Sequence, residues 1–134
     1  MLKIGQNAPE FSLPNQDDVT ISLKDFKGKK ILIWFFTKAS TGGCTREGLG
    51  FNDHFKSFEK RNISIIGISK DSINAQKNFC NKNEFKFDIL SDTELNVLKK
   101  YKAWGLKKMY GREYEGILRL SLIHISEPTR RYFI

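Results

Sequence analysis

Apolar and polar residues alternate along the stretch "APEFSLPNQDDVTISLKDF" (residues 8–26), on both sides of a polar turn. Phe11 and Leu13 precede the turn "PNQDD", and Val19 and Ile21 follow it. A period of two residues is typical of strands that bury one face, so we expect a β-hairpin here.

Three further segments are apolar on both faces, which is typical of strands buried inside a sheet. They are "ILIWFF" (31–36), "ISIIGIS" (63–69) and the shorter "FKFDIL" (85–90). Each is followed by a segment with helical periodicity or a helix-capping signal. A hairpin followed by alternating strands and helices predicts an α/β sandwich built on an open sheet.

Three helices are predicted between and after these strands. The first runs from Cys44 onward, where three phenylalanines share one face and are expected to pack in the core: Phe51, Phe55 and Phe58. Asp71 is expected to cap the second helix. The third is predicted from Ser91, whose spacing to Glu94 is that of a capping box, and Gly105 suits its end.

Composition restricts the class of protein. The 134 residues, 40% of them hydrophobic, suit one domain with a real core. No apolar run reaches the roughly 18 residues of a membrane span, and the first residues lack the apolar segment of a signal peptide. The net charge of +8 comes from scattered lysines and arginines, which favours a solvated surface over a nucleic-acid-binding face. Two cysteines without a secretory signal indicate a reducing compartment, so we expect a cytoplasmic protein.

One cysteine lies where the first buried strand gives way to a helix, in "TKASTGGCTRE" (37–47). Free N–H groups in a helix's first turn stabilise a thiolate, so we expect the pKa of Cys44 to lie below the ~8.5 of a free cysteine. Gly42 and Gly43 allow a small substrate to approach, and the Thr41 hydroxyl can point to the same place. The spacing alone equally allows a buried structural thiol.

Other cysteine chemistries fit the sequence less well. There is no C-x-x-C dithiol motif, and cysteines and histidines do not cluster as metal ligands do. His54 follows Cys44 by ten residues on the same predicted helix, about 15 Å away at 1.5 Å per residue. That separation is too large for a Cys–His catalytic pair, so His54 is expected at the surface.

Six segments carry a family signature: "KIGQNAPEFSLPNQD", "VTISLKDFKGKKILIWFF", "TGGCTREG", "ISIIGISKDSINAQKNF", "ILSDTE" and "KKMYGREYEGILR". Together they resemble peroxiredoxins of the bacterioferritin-comigratory (PrxQ) group. The resemblance covers about residues 2 to 119, so a domain over 1–119 is expected. It implies a thioredoxin-like fold with an added N-terminal hairpin, and a thiol peroxidase that uses neither cofactor nor metal.

The active-site motif of that family reads Pro-x-x-x-Thr-x-x-Cys, with an arginine from a later strand. Thr41 and Cys44 match its last two positions, and Arg119 matches the arginine, but Thr37 stands where the proline would be. The resemblance implies that the Cys44 thiolate attacks the peroxide and becomes a sulfenic acid. Thr41 and the backbone at Gly43 would bind the peroxide, and Arg119 would stabilise the thiolate and polarise the O–O bond.

The second cysteine, Cys80, lies 36 residues after Cys44, in the second predicted helix. Many relatives carry a resolving cysteine five residues after the first, where this chain has Leu49, and some members of the group use one in the second helix instead. The resemblance therefore allows a Cys44–Cys80 disulfide. Two alternatives stay open: Cys80 is a core residue, or the enzyme uses one cysteine and an outside thiol. Glu47 matches a residue often seen near this pocket.

The resemblance also implies partners: hydrogen peroxide or a small organic hydroperoxide, and thioredoxin or a similar thiol reductant. A monomer without nucleic-acid or membrane partners is expected. An alternative is a thioredoxin-fold redox sensor or interaction protein with little turnover, which Thr37 in place of proline keeps open. A nucleic-acid-binding module is a third, more distant hypothesis, which binding assays at several salt concentrations would test.

The family resemblance stops at Arg119. Relatives continue with a further strand, a turn, another strand and a C-terminal helix, whereas this chain ends in "LSLIHISEPTRRYFI" (120–134). The string "SLIHISEPTR" resembles translated sequencing-adapter read-through, so we expect residues 120–134 to be a non-native tail and the native last strand and helix to be missing. His124 then has no catalytic meaning, and "LSLIHI" is apolar enough to replace part of a strand.

Overall fold

The computed structural model describes residues 10–26, 30–101, 103–109, 112–117, 120–126 and 129–133, and from residue 105 onward the description is of the backbone. The elements in chain order are β1 (Ser12–Pro14), β2 (Thr20–Ser22), a 3-10 helix (Leu23–Phe26), β3 (Lys30–Phe35), α1 (Gly42–Asp53), α2 (Phe55–Lys60), β4 (Ile63–Ser69), α3 (Ile73–Asn83), β5 (Asp88–Ser91), α4 (Asn96–Lys100), β6 (Trp104–Met109), β7 (Arg112–Ile117), β8 (Leu120–Ser126) and β9 (Thr129–Phe133). The N-terminal hairpin, the three buried strands and their alternation with helices are confirmed.

Five strands form the central sheet, in the order β5-β4-β3-β8-β9. β3 pairs in parallel with β4, and β4 with β5, as strands joined by crossover helices do. β8 pairs antiparallel with β3, and β9 antiparallel with β8. The β1–β2 and β6–β7 pairs are separate antiparallel hairpins, and the second of them was not predicted from the sequence.

Alternate residues of β3 enter two hydrophobic clusters on opposite faces of the sheet, which explains why the strand is apolar throughout. The first cluster, which α4 helps to close, comprises Phe11, Leu23, Ile31, Ile33, Phe35, Ile66, Ile68, Leu90, Val97, Leu98, Tyr101 and Ala103. The second cluster, which α1 and α3 help to close, comprises Leu32, Trp34, Phe36, Ala39, Cys44, Ile65, Phe79, Cys80, Phe85, Phe87 and Ile89. Helices on both faces confirm the predicted α/β sandwich.

The first predicted helix is divided into α1 and α2 at His54, which is exposed as expected. α1 begins at Gly42, so Cys44 lies in its first turn, and this prediction is confirmed. The three phenylalanines predicted to share a face pack against the second cluster: Phe51, Phe55 and Phe58. The apolar pattern thus identified the buried face correctly across the break.

The third predicted helix starts later and is shorter than the sequence indicated. Ser91 ends β5, and its hydroxyl has no hydrogen-bond partner among the described residues, so the capping box with Glu94 is wrong. The buried carboxylate of Asp92 instead accepts a hydrogen bond of 2.7 Å from the backbone N–H of Leu98 and caps α4. Gly105 lies within β6 and does not end a helix.

Candidate functional site

Cys44 is the third residue of α1, which follows β3 after a short loop. Ser40 turns this loop with a φ of 65°, a left-handed conformation that is uncommon outside glycine. Thr41 is the N-cap residue, but its side chain does not cap a helix N–H group. The partial positive charge of the first turn therefore acts on Cys44 without competition from a capping side chain.

Hydrogen bonds surround the sulfur of Cys44, whose side chain is fully buried. The Oγ1 atom of Thr37 lies 3.2 Å from the sulfur. Burial by itself raises the pKa of the Cys44 thiol, but hydrogen bonds outweigh it and the pKa is lowered. They come from the Lys38 backbone, from the Thr37 and Thr41 hydroxyls and from the Thr37 backbone. The Cys44 thiol is therefore buried, which is typical of a structural cysteine. Its pKa is nevertheless lowered, which is typical of a reactive cysteine.

The hydroxyl of Thr41 lies near two hydrogen-bond acceptors, the carbonyl of Lys38 and the sulfur of Cys44. It donates to the carbonyl of Lys38 at 2.9 Å and also contributes to the lowered pKa of Cys44. Because a hydroxyl has one hydrogen, it serves the carbonyl or the sulfur at any moment, but not both. A Cβ atom built at Gly42 would meet nothing within 4 Å, and Gly43 is half-buried beside Cys44, so the start of α1 has open space.

A chain of hydrogen bonds ties the loop after β3 to α3. The Asp71 carboxylate accepts from the backbone N–H of Ala39 at 2.8 Å and from the Ser69 hydroxyl at 2.6 Å. The buried amide of Gln76 donates to the same hydroxyl at 2.8 Å. Asp71 is therefore not the helix cap that was predicted, since Ser72 caps α3. Sequence analysis missed the contact with Ala39 because no local pattern links two residues so far apart.

Cys80 lies on α3 and belongs to the same second cluster as Cys44. Its thiol donates to the carbonyl of Phe85 at 3.7 Å. Burial, and then the negative charges of Asp88 and Asp17, raise the pKa of the Cys80 thiol. Both cysteines are free thiols, and the opposite directions of their pKa values make Cys44 the more readily ionised of the two.

Arg119, predicted to stabilise the thiolate, lies outside the described residues. Glu47 on α1 is half-buried, and its Oε1 atom has no hydrogen-bond partner among the described residues. Within the same part of the chain, no three His, Cys, Asp or Glu side chains form a group suited to a metal ion. The helices described there are too short or too polar to cross a membrane.

The sequence profile of the AhpC/TSA family matches residues 4–132. The chain belongs to this family. It is 40% identical over 122 residues to a putative peroxiredoxin bcp of Haemophilus influenzae, across 91% of this chain and 79% of the relative. It is 38% identical to peroxiredoxin Bcp of Escherichia coli K12, across 91% of this chain and 78% of the relative.

Solved structures of AhpC/TSA relatives share the fold. The bacterioferritin comigratory protein of Xanthomonas campestris superposes with a TM-score of 0.84 at 30% identity, over 92% of this chain and 80% of that one. A PrxQ variant of Xylella fastidiosa gives 0.90 at 25% identity, over 99% and 86%. The thioredoxin-like fold and the likeness to the PrxQ group are confirmed, and the enzyme class is that of a thiol-dependent peroxidase.

Proposed function

We propose that Cys44 is the peroxidatic thiol, and that it reduces hydrogen peroxide and small organic hydroperoxides. The observation that carries this proposal is the position of Cys44 in the first turn of α1, with several hydrogen bonds that lower the pKa of its thiol. The thiolate attacks the terminal oxygen of the peroxide, an S–O bond forms, and the O–O bond breaks. The electron pair leaves with the other oxygen, which takes a proton to give water or an alcohol, while Cys44 becomes a sulfenic acid.

Other groups assist this step in our proposal. The Thr41 hydroxyl and the backbone N–H groups at Gly43 and Cys44 orient the peroxide and stabilise the charge that develops on its oxygens. Arg119 keeps a positive charge near the sulfur and polarises the O–O bond. Because Cys44 is buried, peroxide enters through local opening at the start of α1, and the open space at Gly42 supports this route.

Cys80 is the resolving cysteine in our proposal. Its sulfur attacks the sulfenic sulfur of Cys44, an S–S bond forms, and hydroxide leaves and takes up the thiol proton as water. Two observations support this assignment. Both cysteines lie in the second cluster. In addition, two cysteines of the Xanthomonas campestris peroxiredoxin Q have each been replaced by serine, in separate variants. These two cysteines are as far apart in sequence as Cys44 and Cys80.

A dithiol protein such as thioredoxin completes the cycle by supplying two electrons and two protons to the disulfide. The Xanthomonas campestris protein is described as having alkyl peroxide reduction activity, which supports organic hydroperoxides as substrates here. Two cysteines suit a reducing compartment, so we place the enzyme in the cytoplasm. We propose that it works as a monomer, without nucleic-acid or membrane partners.

Peroxide consumption in the presence of thioredoxin, thioredoxin reductase and NADPH tests the activity. We expect many turnovers from the wild-type chain and none from Cys44→Ser. Consumption of a single equivalent per chain would instead favour the redox-sensor alternative. Activity that survives Cys44→Ser would show that another group reacts with the peroxide.

Peptide mapping of the peroxide-treated protein tests the resolving step separately. We expect a cross-link between Cys44 and Cys80 in the wild type. In the matched control, Cys80→Ser, we expect sulfenic or sulfinic acid on Cys44. If the wild type shows only those acids, with Cys80 still open to alkylation, a one-cysteine mechanism replaces this proposal.

A further inference from the structure

Position 37 is where the chain departs from the motif of its family, which has proline there. In this chain the residue is Thr37, and its Oγ1 atom lies 3.2 Å from the sulfur of Cys44. A hydrogen bond from the backbone of Thr37 is also among the causes that lower the pKa of the Cys44 thiol. Proline supplies neither group, because it lacks a backbone N–H and its side chain is a hydrocarbon ring.

We propose that Thr37 is a positioning residue that donates two hydrogen bonds to the Cys44 thiolate, one from its hydroxyl and one from its backbone N–H. A thiolate sulfur has no hydrogen, so Thr37 must be the donor of the 3.2 Å contact once the thiol has ionised. Hydrogen bonds to an ionised acceptor are the stronger kind, and two of them from one residue direct the sulfur as well as stabilise its charge. This inference rests on the proposed function, because it assigns Thr37 a part in the chemistry of Cys44.

The backbone on both sides of Thr37 is held in place. The N–H of Phe36 donates to the carbonyl of Ile68 on β4 at 3.1 Å. Two residues after Thr37, the N–H of Ala39 donates to the Asp71 carboxylate at 2.8 Å. The hydroxyl of Thr37 is therefore presented to the sulfur by a loop that is anchored at both ends, so little freedom is lost when the bond to the thiolate forms.

Removing the Thr37 hydroxyl has two opposite effects on the rate at which the Cys44 thiol reacts with an alkylating reagent. Loss of one hydrogen bond to a charged acceptor lowers the thiolate population about tenfold at pH values below the titration midpoint. A more basic thiolate is also about threefold more nucleophilic, given a Brønsted slope near 0.4–0.5. The variant should thus react about threefold more slowly than the wild type at low pH and about threefold faster on the alkaline plateau. The two profiles should cross.

Alkylation of the 134-residue chain by iodoacetamide across pH measures the reaction rate of Cys44 directly. Thr37→Val removes the hydroxyl and keeps the shape, while Thr37→Ser and Thr37→Ala form a second matched pair that differs only in the hydroxyl. Trypsin cuts after Lys38 and Arg46, so Cys44 is read in the same peptide, residues 39–46, in every variant. The other ionisable groups on the described elements around Cys44 are unchanged in these variants: Lys38, Arg46, Glu47, Asp71 and Cys80.

We expect crossing profiles for Thr37→Val against the wild type and for Thr37→Ala against Thr37→Ser. Thr37→Pro, which also lacks the N–H, should shift the midpoint at least as far as Thr37→Val. Profiles that keep the wild-type midpoint and differ only by a constant factor would show a purely structural role and overturn the inference. Iodoacetamide needs no peroxidase activity, so a chain that fails to turn over peroxide but shows crossing profiles would refute the proposed function alone.

Discussion

At the scale of single residues, Cys44 and Cys80 show how differently one hydrophobic cluster can treat two thiols. Burial raises the pKa of both. Several hydrogen bonds overcome this effect at Cys44. At Cys80 the negative charges of Asp88 and Asp17 add to it instead. This contrast supports our proposal that Cys44 rather than Cys80 attacks the peroxide, because the thiolate is the nucleophile.

Iodoacetamide should label Cys44 before Cys80 at neutral pH, and the difference should narrow as the pH rises. The reason is that the pKa of Cys44 is lowered and that of Cys80 is raised. Mass spectrometry of the tryptic peptides 39–46 and 78–82, each with one cysteine, measures the two rates in one sample. Faster labelling of Cys80 at neutral pH would contradict the assignment.

The same two thiols should give the unfolding free energy opposite dependences on pH. The folded pKa of Cys44 is lowered, so its contribution is present above the unfolded pKa and is lost as the pH falls through the folded value. The folded pKa of Cys80 is raised, so its contribution is full below the unfolded pKa and is lost as the pH rises through the folded value. Urea titrations across the alkaline range should show a flatter decline for Cys80→Ala than for the wild type and a steeper one for Cys44→Ala. A Cys80→Ala decline as steep as that of the wild type would contradict this.

At the scale of elements, α1 packs against the sheet through a glycine. A Cβ atom at Gly48 would lie 2.5 Å from Cζ of Phe85 and 2.9 Å from Cη2 of Trp34, whereas one at Gly50 would meet nothing within 4 Å. Gly48 therefore has a packing role in α1, in addition to the low helix propensity of any glycine. It allows the backbone of α1 to approach the aromatic rings of the second cluster.

Gly48→Ala should destabilise the protein by about 1–3 kcal/mol, because the rings must shift to make room. Gly50→Ala is the matched control on the same helix and should stabilise by about 0.5–1 kcal/mol through helix propensity. Gly50→Ala should also slow formation of the Cys44–Cys80 disulfide, because a more stable α1 opens less often at its start. Chemical denaturation of both variants measures the two effects, and equal effects would show that the close packing at Gly48 is unimportant.

α4 depends on the buried carboxylate of Asp92, which accepts from the Leu98 N–H. Burial raises the pKa of Asp92 despite the backbone hydrogen bonds it accepts. Its contribution to stability is therefore full below the unfolded pKa and declines as the pH rises through the folded value. Asp92→Ala should cost about 1–2 kcal/mol by removing the cap. Asp92→Asn should keep the cap and flatten the stability profile in acid, and an unflattened profile would contradict this account.

At the scale of the whole molecule, β8 extends the central sheet on the side of β3 opposite β4. Residues 120–126 thus occupy a strand position, as the apolar string "LSLIHI" suggested. The family match runs to residue 132, beyond the predicted domain end at Arg119. We propose that residues 120–134 are a non-native tail, of which β8 nevertheless pairs with β3.

Sequencing the source gene should show a different continuation after Arg119. A chimera with a C-terminus typical of the family should unfold at a higher temperature than the 134-residue chain, because the family's last strand would replace β9 and its C-terminal helix would cover apolar surface. An open reading frame that runs through the same tail would refute the first expectation. Equal unfolding temperatures would refute the second.

The amino-acid sequence by itself determined the elements with strong periodicity and the place of Cys44 at the start of a helix. Strand β4 (Ile63–Ser69) was predicted residue for residue, because a run of apolar residues between turns has few alternatives. The position of Cys44 in the first turn of a helix followed from the same local pattern. These features depend on near neighbours in the chain, which a single sequence displays directly.

Only the tertiary structure decided which polar side chains meet. Ser91 and Glu94 have the spacing of a capping box, yet Asp92 caps α4. The reason is that Ser91 is the last residue of β5 and pairs with β4. The contact of Thr37 with the Cys44 sulfur depends on how β3, its loop and α1 are joined in space. In the sequence, Thr37 was notable only as a departure from the proline of the family motif. In the fold Thr37 is a hydrogen-bond partner of Cys44, because the loop brings its hydroxyl to the sulfur.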